Sequence, residues 1–371
     1  MLELCYIYIY LALITTLSVF TGRKYLHYTN DRLTAPAPAG SSQRLYALIL
    51  CAVLIFFIGL RPLGVGGDMF LYNQWYESWY GATYRLCSNK ENFIFNNILR
   101  IMSCAGIPVK IFFLFISAIY FGAMFLACRK LFPKDTLFSF LIYLGAFSTF
   151  AYAANGMRGG AAASLVLLGI AYHDKLWICI LLLFSGLAFH HSMLLPVCSF
   201  IVCYFFHKPV WFIAGWGLSL MISTLHVNIF NHLFASLPFN QLKGYLTNNE
   251  LVTSHYYTGF RLDFILYSSS AVILGYWTIL KGYKSKFFNI LYCTYLLANS
   301  LWMLCMYANY TNRIAYLSWI LLPIVIIYPF FDKPFVNEQY KKAVIVAGAH
   351  LGFTLFMQLI YYGFLKSMLN L

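Results

Sequence analysis

The chain has 371 residues, of which 61% are hydrophobic and 10% charged, with a mean hydropathy of +0.72. Globular proteins average about 45–50% apolar and about 25% charged residues. The composition therefore excludes a disordered tail, a disulfide-stapled secreted scaffold and an ordinary cytosolic enzyme, and it leaves an all-α, polytopic integral membrane protein. A net charge of +14 would suggest nucleic acid in a soluble domain. Here the basic residues stand in small groups between apolar runs, so they report topology first. The natural acidic partner is anionic membrane lipid or a lipid-linked phosphate, not nucleic acid.

A bilayer-crossing helix needs about 20 mostly apolar residues. Taken in chain order, the apolar runs predict spans near 2–20, 44–60, 108–127, 137–155, 158–173, 176–189, 191–206, 210–230, 263–280, 287–306, 313–330 and 343–366, about twelve transmembrane helices in a single domain over 1–371. The runs 176–189 and 191–206 are short and read as two half-depth helices or one long broken helix, which a membrane tolerates only where protein or a cavity covers the break. The first run is not a cleaved signal peptide, because no basic region precedes it and Glu3 is the first charge. Arg23 and Lys24 follow it, which places the N-terminus outside. The loop 21–43 then carries the plain linker Ala35–Ser42. On this topology 15 of the 25 Lys and Arg residues lie on the cytoplasmic side and are mostly lysines. Arginine predominates outside, as Arg61, Arg85, Arg100, Arg158, Arg261 and Arg313.

Two sizeable external segments, 61–107 and 231–262, cap the spans. The first contains an amphipathic helix near 92–104, where Phe93, Ile94, Ile98, Leu99 and Met102 follow a 3.6-residue period. None of the ten cysteines forms a C-x-x-C pair, so a zinc or redox site has no support. Cys87 and Cys104 share one loop region and could pair, but spacing does not establish a connectivity.

Four places could carry chemistry. Arg61 opens Arg61-Pro62-Leu63-Gly64-Val65-Gly66-Gly67-Asp68, where glycines permit a tight turn with exposed amides that could nest an anion. Asp68 follows, then Tyr72. Arg158 stands in Asn155-Gly156-Met157-Arg158-Gly159-Gly160, a setting with little aliphatic surface for a snorkelling arginine. His190, His191 and Ser192 separate two short apolar stretches; a histidine there is a base, a phosphate donor or a helix-end filler. Arg261 with Asp263 precedes one span and Arg313 begins another. Arginine is the preferred residue for bidentate phosphate binding, and two to four convergent guanidiniums would hold a pyrophosphate. No P-loop and no G-x-S-x-G motif is present. The aromatics Tyr72, Trp75, Tyr76, Trp79, Tyr80 and Tyr84 are a candidate saccharide surface, with interfacial anchoring the plainer reading.

The ordered set Arg61-Pro62…Gly67-Asp68…Tyr72, Glu91-Asn92-Phe93, Asn155…Arg158, Phe189-His190-His191-Ser192, Gly259-Phe260-Arg261-Leu262-Asp263 and Asn312-Arg313-Ile314-Ala315-Tyr316 resembles the EpsG-like branch of the Wzy-type polysaccharide polymerases. The resemblance runs from about residue 55 to 320, and Glu91-Asn92 stands where the family often has Glu-Pro. It implies a GT-C-like fold in the bacterial inner membrane, with the active site formed by external, periplasm-facing loops. It also implies an enzyme without cofactor or metal that moves a growing glycan from undecaprenyl pyrophosphate onto the next lipid-linked repeat unit, alongside a chain-length regulator and a flippase. On that reading Arg158, Arg261 and Arg313 hold the donor pyrophosphate, Asp68 or His190 is the base, and Arg61, Tyr72 and Asp263 complete the substrate site. The rival readings are a flippase or other transporter, for which His350 inside the last span is the clearest sign, an O-antigen ligase-like enzyme, and a membrane acyltransferase.

Overall fold

The computed structural model describes residues 2–26, 40–88, 90–225, 259–308 and 310–365. Most of the linker Ala35–Ser42 and nearly all of the segment 231–262 lie outside these residues. Every regular element described is helical. Among the described residues, seven helices are long and apolar enough to cross a membrane: Leu2–Leu26, Ser42–Gly59, Val109–Leu131, Leu262–Leu280, Lys286–Leu304, Thr311–Asp332 and Gln339–Tyr362. Five shorter apolar helices accompany them, at Phe93–Cys104, Met157–Ala171, Leu176–Phe189, His191–Phe205 and Pro209–Thr224. Each run read from hydropathy is helical over most of its described residues. The protein is thus an all-helical polytopic membrane protein.

The helices group into two compact units, one of Met1–Leu194 with Phe330–Gln358, the other of Leu195–Pro329 with Leu359–Leu371. The first unit contains α1 (Leu2–Leu26), α2 (Gly40–Gly59), α3 (Asp68–Glu77), α4 (Phe93–Cys104), α5 (Val109–Leu131), α6 (Thr136–Leu144), α7 (Thr149–Ala154), α8 (Met157–Ala171) and α9 (Leu176–Phe189). α1 runs six residues past the predicted end of its span. Its last turn carries Arg23 and Lys24, where cations oppose the negative end of the helix dipole.

The predicted span 137–155 is broken. α6 stops at Leu144 and α7 starts at Thr149, which frees backbone carbonyls in a buried stretch. Neighbouring side chains satisfy them. The Thr149 hydroxyl donates to the Tyr143 carbonyl at 2.6 Å, Tyr10 of α1 to Leu144 at 2.7 Å and Thr354 to Gly145 at 2.8 Å. Buried His350 reaches the backbone of Ile142. Thr354 and His350 belong to the long helix near the C-terminus, described below. Unsatisfied carbonyls are not tolerated at membrane depth, and His350 takes part in this backbone arrangement.

α8 lies against α9 and α5. A Cβ on Gly186 of α9 would stand 2.6 Å from Val166 of α8, a close approach of the kind small residues permit between membrane helices. At the opposite end, the Tyr25 hydroxyl donates to buried Asp135 at 2.7 Å, and Lys130 pairs with Asp174 at 2.7 Å.

The second unit contains α10 (Leu194–Phe205), α11 (Pro209–Thr224), α12 (Leu262–Leu280), α13 (Lys286–Leu304), α14 (Thr311–Trp319) and most of α15 (Leu322–Asp332). Its core is a hydrogen-bonded polar cluster. The amide of fully buried Asn299 donates to Ser268 at 3.1 Å and Ser318 at 3.0 Å and accepts from Trp216 at 2.8 Å. Trp319 also donates to Ser268, at 2.8 Å. Such bonds hold helices together where lipid removes the hydrophobic drive. The chain returns to the first unit through α16 (Gln339–Leu355), which continues as a wider π-helical segment Phe356–Leu365.

Candidate functional site

The loop after α2 sets the geometry of the first unit's site. Arg61 is 3% exposed and its guanidinium is committed to backbone. It donates to the carbonyls of Val65 at 3.0 Å, Ile58 at 2.7 Å and Ala154 at 2.7 Å. Burial pulls its pKa down to about 10, so it stays charged at neutral pH. Gly66 sits at φ +104°, and a Cβ there would stand 2.1 Å from the Ala154 carbonyl oxygen. The Gly67 amide donates to Asn155 Oδ1 at 2.6 Å. The glycine loop is therefore a rivet onto the end of α7 and not an open anion nest, and Arg61 is its pin. The Arg61 guanidinium, expected in the substrate site, is engaged by these carbonyls.

The rivet places α3 beside α4 and α8. Asp68 begins α3, half-buried, and Tyr72 follows one turn on, 4% exposed. Residues four apart share a helix face. The Tyr72 ring meets Phe95 edge-on at 5.3 Å. The Arg158 guanidinium, in the first turn of α8, lies over both rings, 6.0 Å from Tyr72 and 5.6 Å from Phe95. Arg158 Nε is buried and has no hydrogen-bond partner among the described residues. A buried donor is costly unless something accepts from it, which distinguishes Arg158 Nε from the Arg61 guanidinium.

The expected room around Arg158 is largely filled. Gly156 and Gly159 lie against the Tyr152 ring of α7 and Gly160 against the Tyr152 backbone and the Tyr120 ring, and a Cβ on Gly159 would stand 3.4 Å from His190 Cδ2 and 3.8 Å from Nε2. His190 therefore lies against the first turn of α8, next in sequence to Arg158. It occupies the break between α9 and a 3-10 turn, His191–Met193, with extended backbone (φ −152°). Its Nδ1 is 2.7 Å from Asn92 Oδ1. Asn92 is 3% exposed and was not among the residues singled out by their chemistry. Its only sequence signal is its place between Glu91 and Phe93 in the motif.

The amphipathic helix near 92–104 forms as α4, on a different face. Phe95, Leu99 and Ser103 are buried, whereas Phe93 is exposed. Polar contacts select that face: Ser103 donates to the Tyr76 carbonyl, and Asn97 accepts from the Cys87 amide at 2.9 Å. The aromatic run divides as well. Tyr72 and Tyr76 are buried, and the Tyr76, Tyr80 and Tyr84 hydroxyls bind Ile107, Gly106 and Asn97. Trp79 stacks on Arg100 at 4.2 Å. Most of the run thus staples its own loop. Cys87 and Cys104 are free thiols.

In the second unit Arg261 pairs with Asp263 through two bonds, 2.9 Å and 2.6 Å. It also donates to Tyr362 at 2.7 Å and lies 3.7 Å over the Phe264 ring. Burial lowers its pKa, but the bond to Asp263 and the nearby Tyr362 more than offset this, so it is held above its usual value. Asp263 thereby neutralises the expected phosphate ligand. Arg313 is exposed, 4.9 Å over the Tyr310 ring, and follows a left-handed residue, Tyr310 at φ +55°. Both arginines act electrostatically on Tyr316, whose hydroxyl bonds Asn312.

Of the eight residues singled out, Arg61, Asp68, Tyr72, Arg158 and His190 belong to the first unit, and Arg261, Asp263 and Arg313 to the second. No group of three or more His, Cys, Asp or Glu residues that could hold a metal occurs among the described residues. No curated protein and no solved structure matches the chain. The family model described as "EpsG family" matches residues 44–370, a range that takes in every one of these positions. The chain belongs to the EpsG family, membrane proteins of the polysaccharide-polymerase type.

Proposed function

We propose that the protein is a polysaccharide polymerase of the bacterial inner membrane. It transfers a growing glycan from undecaprenyl pyrophosphate onto the next lipid-linked repeat unit at the periplasmic face. The observation that carries this reading is Arg158: a guanidinium whose buried Nε has no hydrogen-bond partner among the described residues, lying over two aromatic rings beside an oriented histidine. An anionic leaving group supplies the missing partner. As the anomeric carbon–oxygen bond to pyrophosphate breaks, charge develops on the leaving oxygen, and Arg158 stabilises it in the transition state. The acceptor hydroxyl oxygen attacks the anomeric carbon, and its proton passes to His190 Nε2. Asp68 is the competing base, separable by Asp68→Asn. Tyr72 and Phe95 lie under the guanidinium and hold it by cation–π contact. In the second unit, Arg313, Arg261 and Asp263 complete the site, with Arg313 exposed and Arg261 paired to Asp263.

The test uses the purified protein in nanodiscs with the lipid-linked repeat unit extracted from cells lacking it, in EDTA and without ATP, read as a glycan ladder. A ladder should form, and Arg158→Ala should slow it about 10²–10³-fold. Arg158→Lys should restore only part of the rate, because a lysine cannot reproduce the planar fork. Labelled lipid-sugar crossing sealed vesicles with no ladder would instead make the protein a transporter.

A further inference from the structure

Asn92 stands at the N-cap of α4, a position where asparagine normally accepts a hydrogen bond from its own helix. Here its side chain makes no cap bond. It turns to His190, 98 residues later in the chain, and places Oδ1 2.7 Å from the ring Nδ1. The group is 3% exposed, and a cap bond would have stabilised its own helix. Forgoing that local bond needs a reason, and the histidine provides one. An amide oxygen only accepts, so Nδ1 is the donor in this bond, and in the neutral ring Nε2 then holds the lone pair. Nε2 lies on the side of the ring packed against Gly159, adjacent to Arg158. A partner on one ring nitrogen settles which form the other takes.

We propose that Asn92 is a positioning residue for the transfer reaction: it holds the His190 imidazole in the tautomer and orientation that let Nε2 accept the acceptor-sugar proton. This rests on His190 being the base. Asn92 acts through the histidine and touches no substrate.

The experiment is a kinetic series on the full chain in nanodiscs, with the same extracted lipid-linked repeat unit as probe, for Asn92→Ala, Asn92→Asp, His190→Ala and His190→Gln. Melting temperatures and 15N spectra of histidine-labelled protein accompany it. Asn92→Ala should lower kcat about 10–100-fold, the usual effect of removing a residue that orients a functional histidine, with KM within about threefold. Asn92→Asp, which keeps the acceptor oxygens, should recover most of kcat. The ring signal absent from His190→Gln should show the Nδ1–H tautomer in the wild-type protein and lose it in Asn92→Ala. Wild-type kcat in Asn92→Ala, with both His190 variants inactive, overturns the proposal and leaves His190 as the base. Equal losses in Asn92→Ala and Asn92→Asp, tracking their melting temperatures, assign Asn92 to packing and overturn it as well. An Nε2–H signal in the wild-type protein overturns it even if Asn92→Ala fails to fold. Undiminished kcat in both His190 variants removes the base assignment itself.

Discussion

Two arginines of the first unit show how one residue type takes opposite roles. Arg61 and Arg158 both adjoin glycines, and by sequence either could hold a phosphate. Arg61 donates to three backbone carbonyls, whereas buried Arg158 Nε donates to nothing among the described residues. Substitution should separate them. Arg61→Ala should leave buried carbonyls without a donor and lower stability by about 1–3 kcal/mol, read as a fall in melting temperature. Gly66→Ala should do the same through the strained φ and the 2.1 Å approach to Ala154, by about 1–3 kcal/mol. For both variants, activity per folded molecule should exceed that of Arg158→Ala. A stable Arg61→Ala protein with a raised KM would return Arg61 to the substrate site.

Among the elements, the interruption between α6 and α7 is the most exacting. A helix broken within a span must find donors for its freed carbonyls, and α1, α7 and α16 provide them. Tyr10→Phe and Thr354→Val keep side-chain shape and remove one hydroxyl each. Each should destabilise the protein by about 1–3 kcal/mol, seen by thermal melting in nanodiscs. An unchanged melting temperature in both would show that the freed carbonyls find other donors. Hydropathy read this stretch as a single span because the average over 137–155 is apolar throughout. The break lies at Gly145–Ser148, and its donors come from residues 10, 149 and 354, which no local window contains. The amphipathic helix near 92–104 was legible in outline for the converse reason, since its period is local. Its buried face was not, because Ser103 bonds to Tyr76 of α3 and Asn97 to Cys87 in the loop before α4.

At the scale of the whole molecule, the charge asymmetry leads to a topology that can be measured. Ser88 should lie outside and Lys134 inside, on opposite sides of α5. A reporter active only in the periplasm should work when fused after Ser88 and fail after Lys134, and a cytoplasmic fluorescent reporter should behave oppositely. The reverse pattern would put the Arg158 site on the cytoplasmic side and end the proposal of a periplasmic polymerase.

Composition by itself determined that the chain is a helical membrane protein, because the transfer of apolar side chains into lipid depends on residue type and run length, not on which partner they meet. The order of short motifs likewise determined the family, since it is a property of the chain read end to end. Which polar groups remain available for chemistry was decided only in three dimensions. Arg61, Arg158 and Arg261 differ in what they meet: carbonyls from residue 154, aromatic rings from residues 72 and 95, or a carboxylate two positions on. The bond between Asn92 and His190 joins residues 98 apart. A hydrogen bond is directional and effective over about 3 Å, so such pairs exist only once helices distant in sequence have packed.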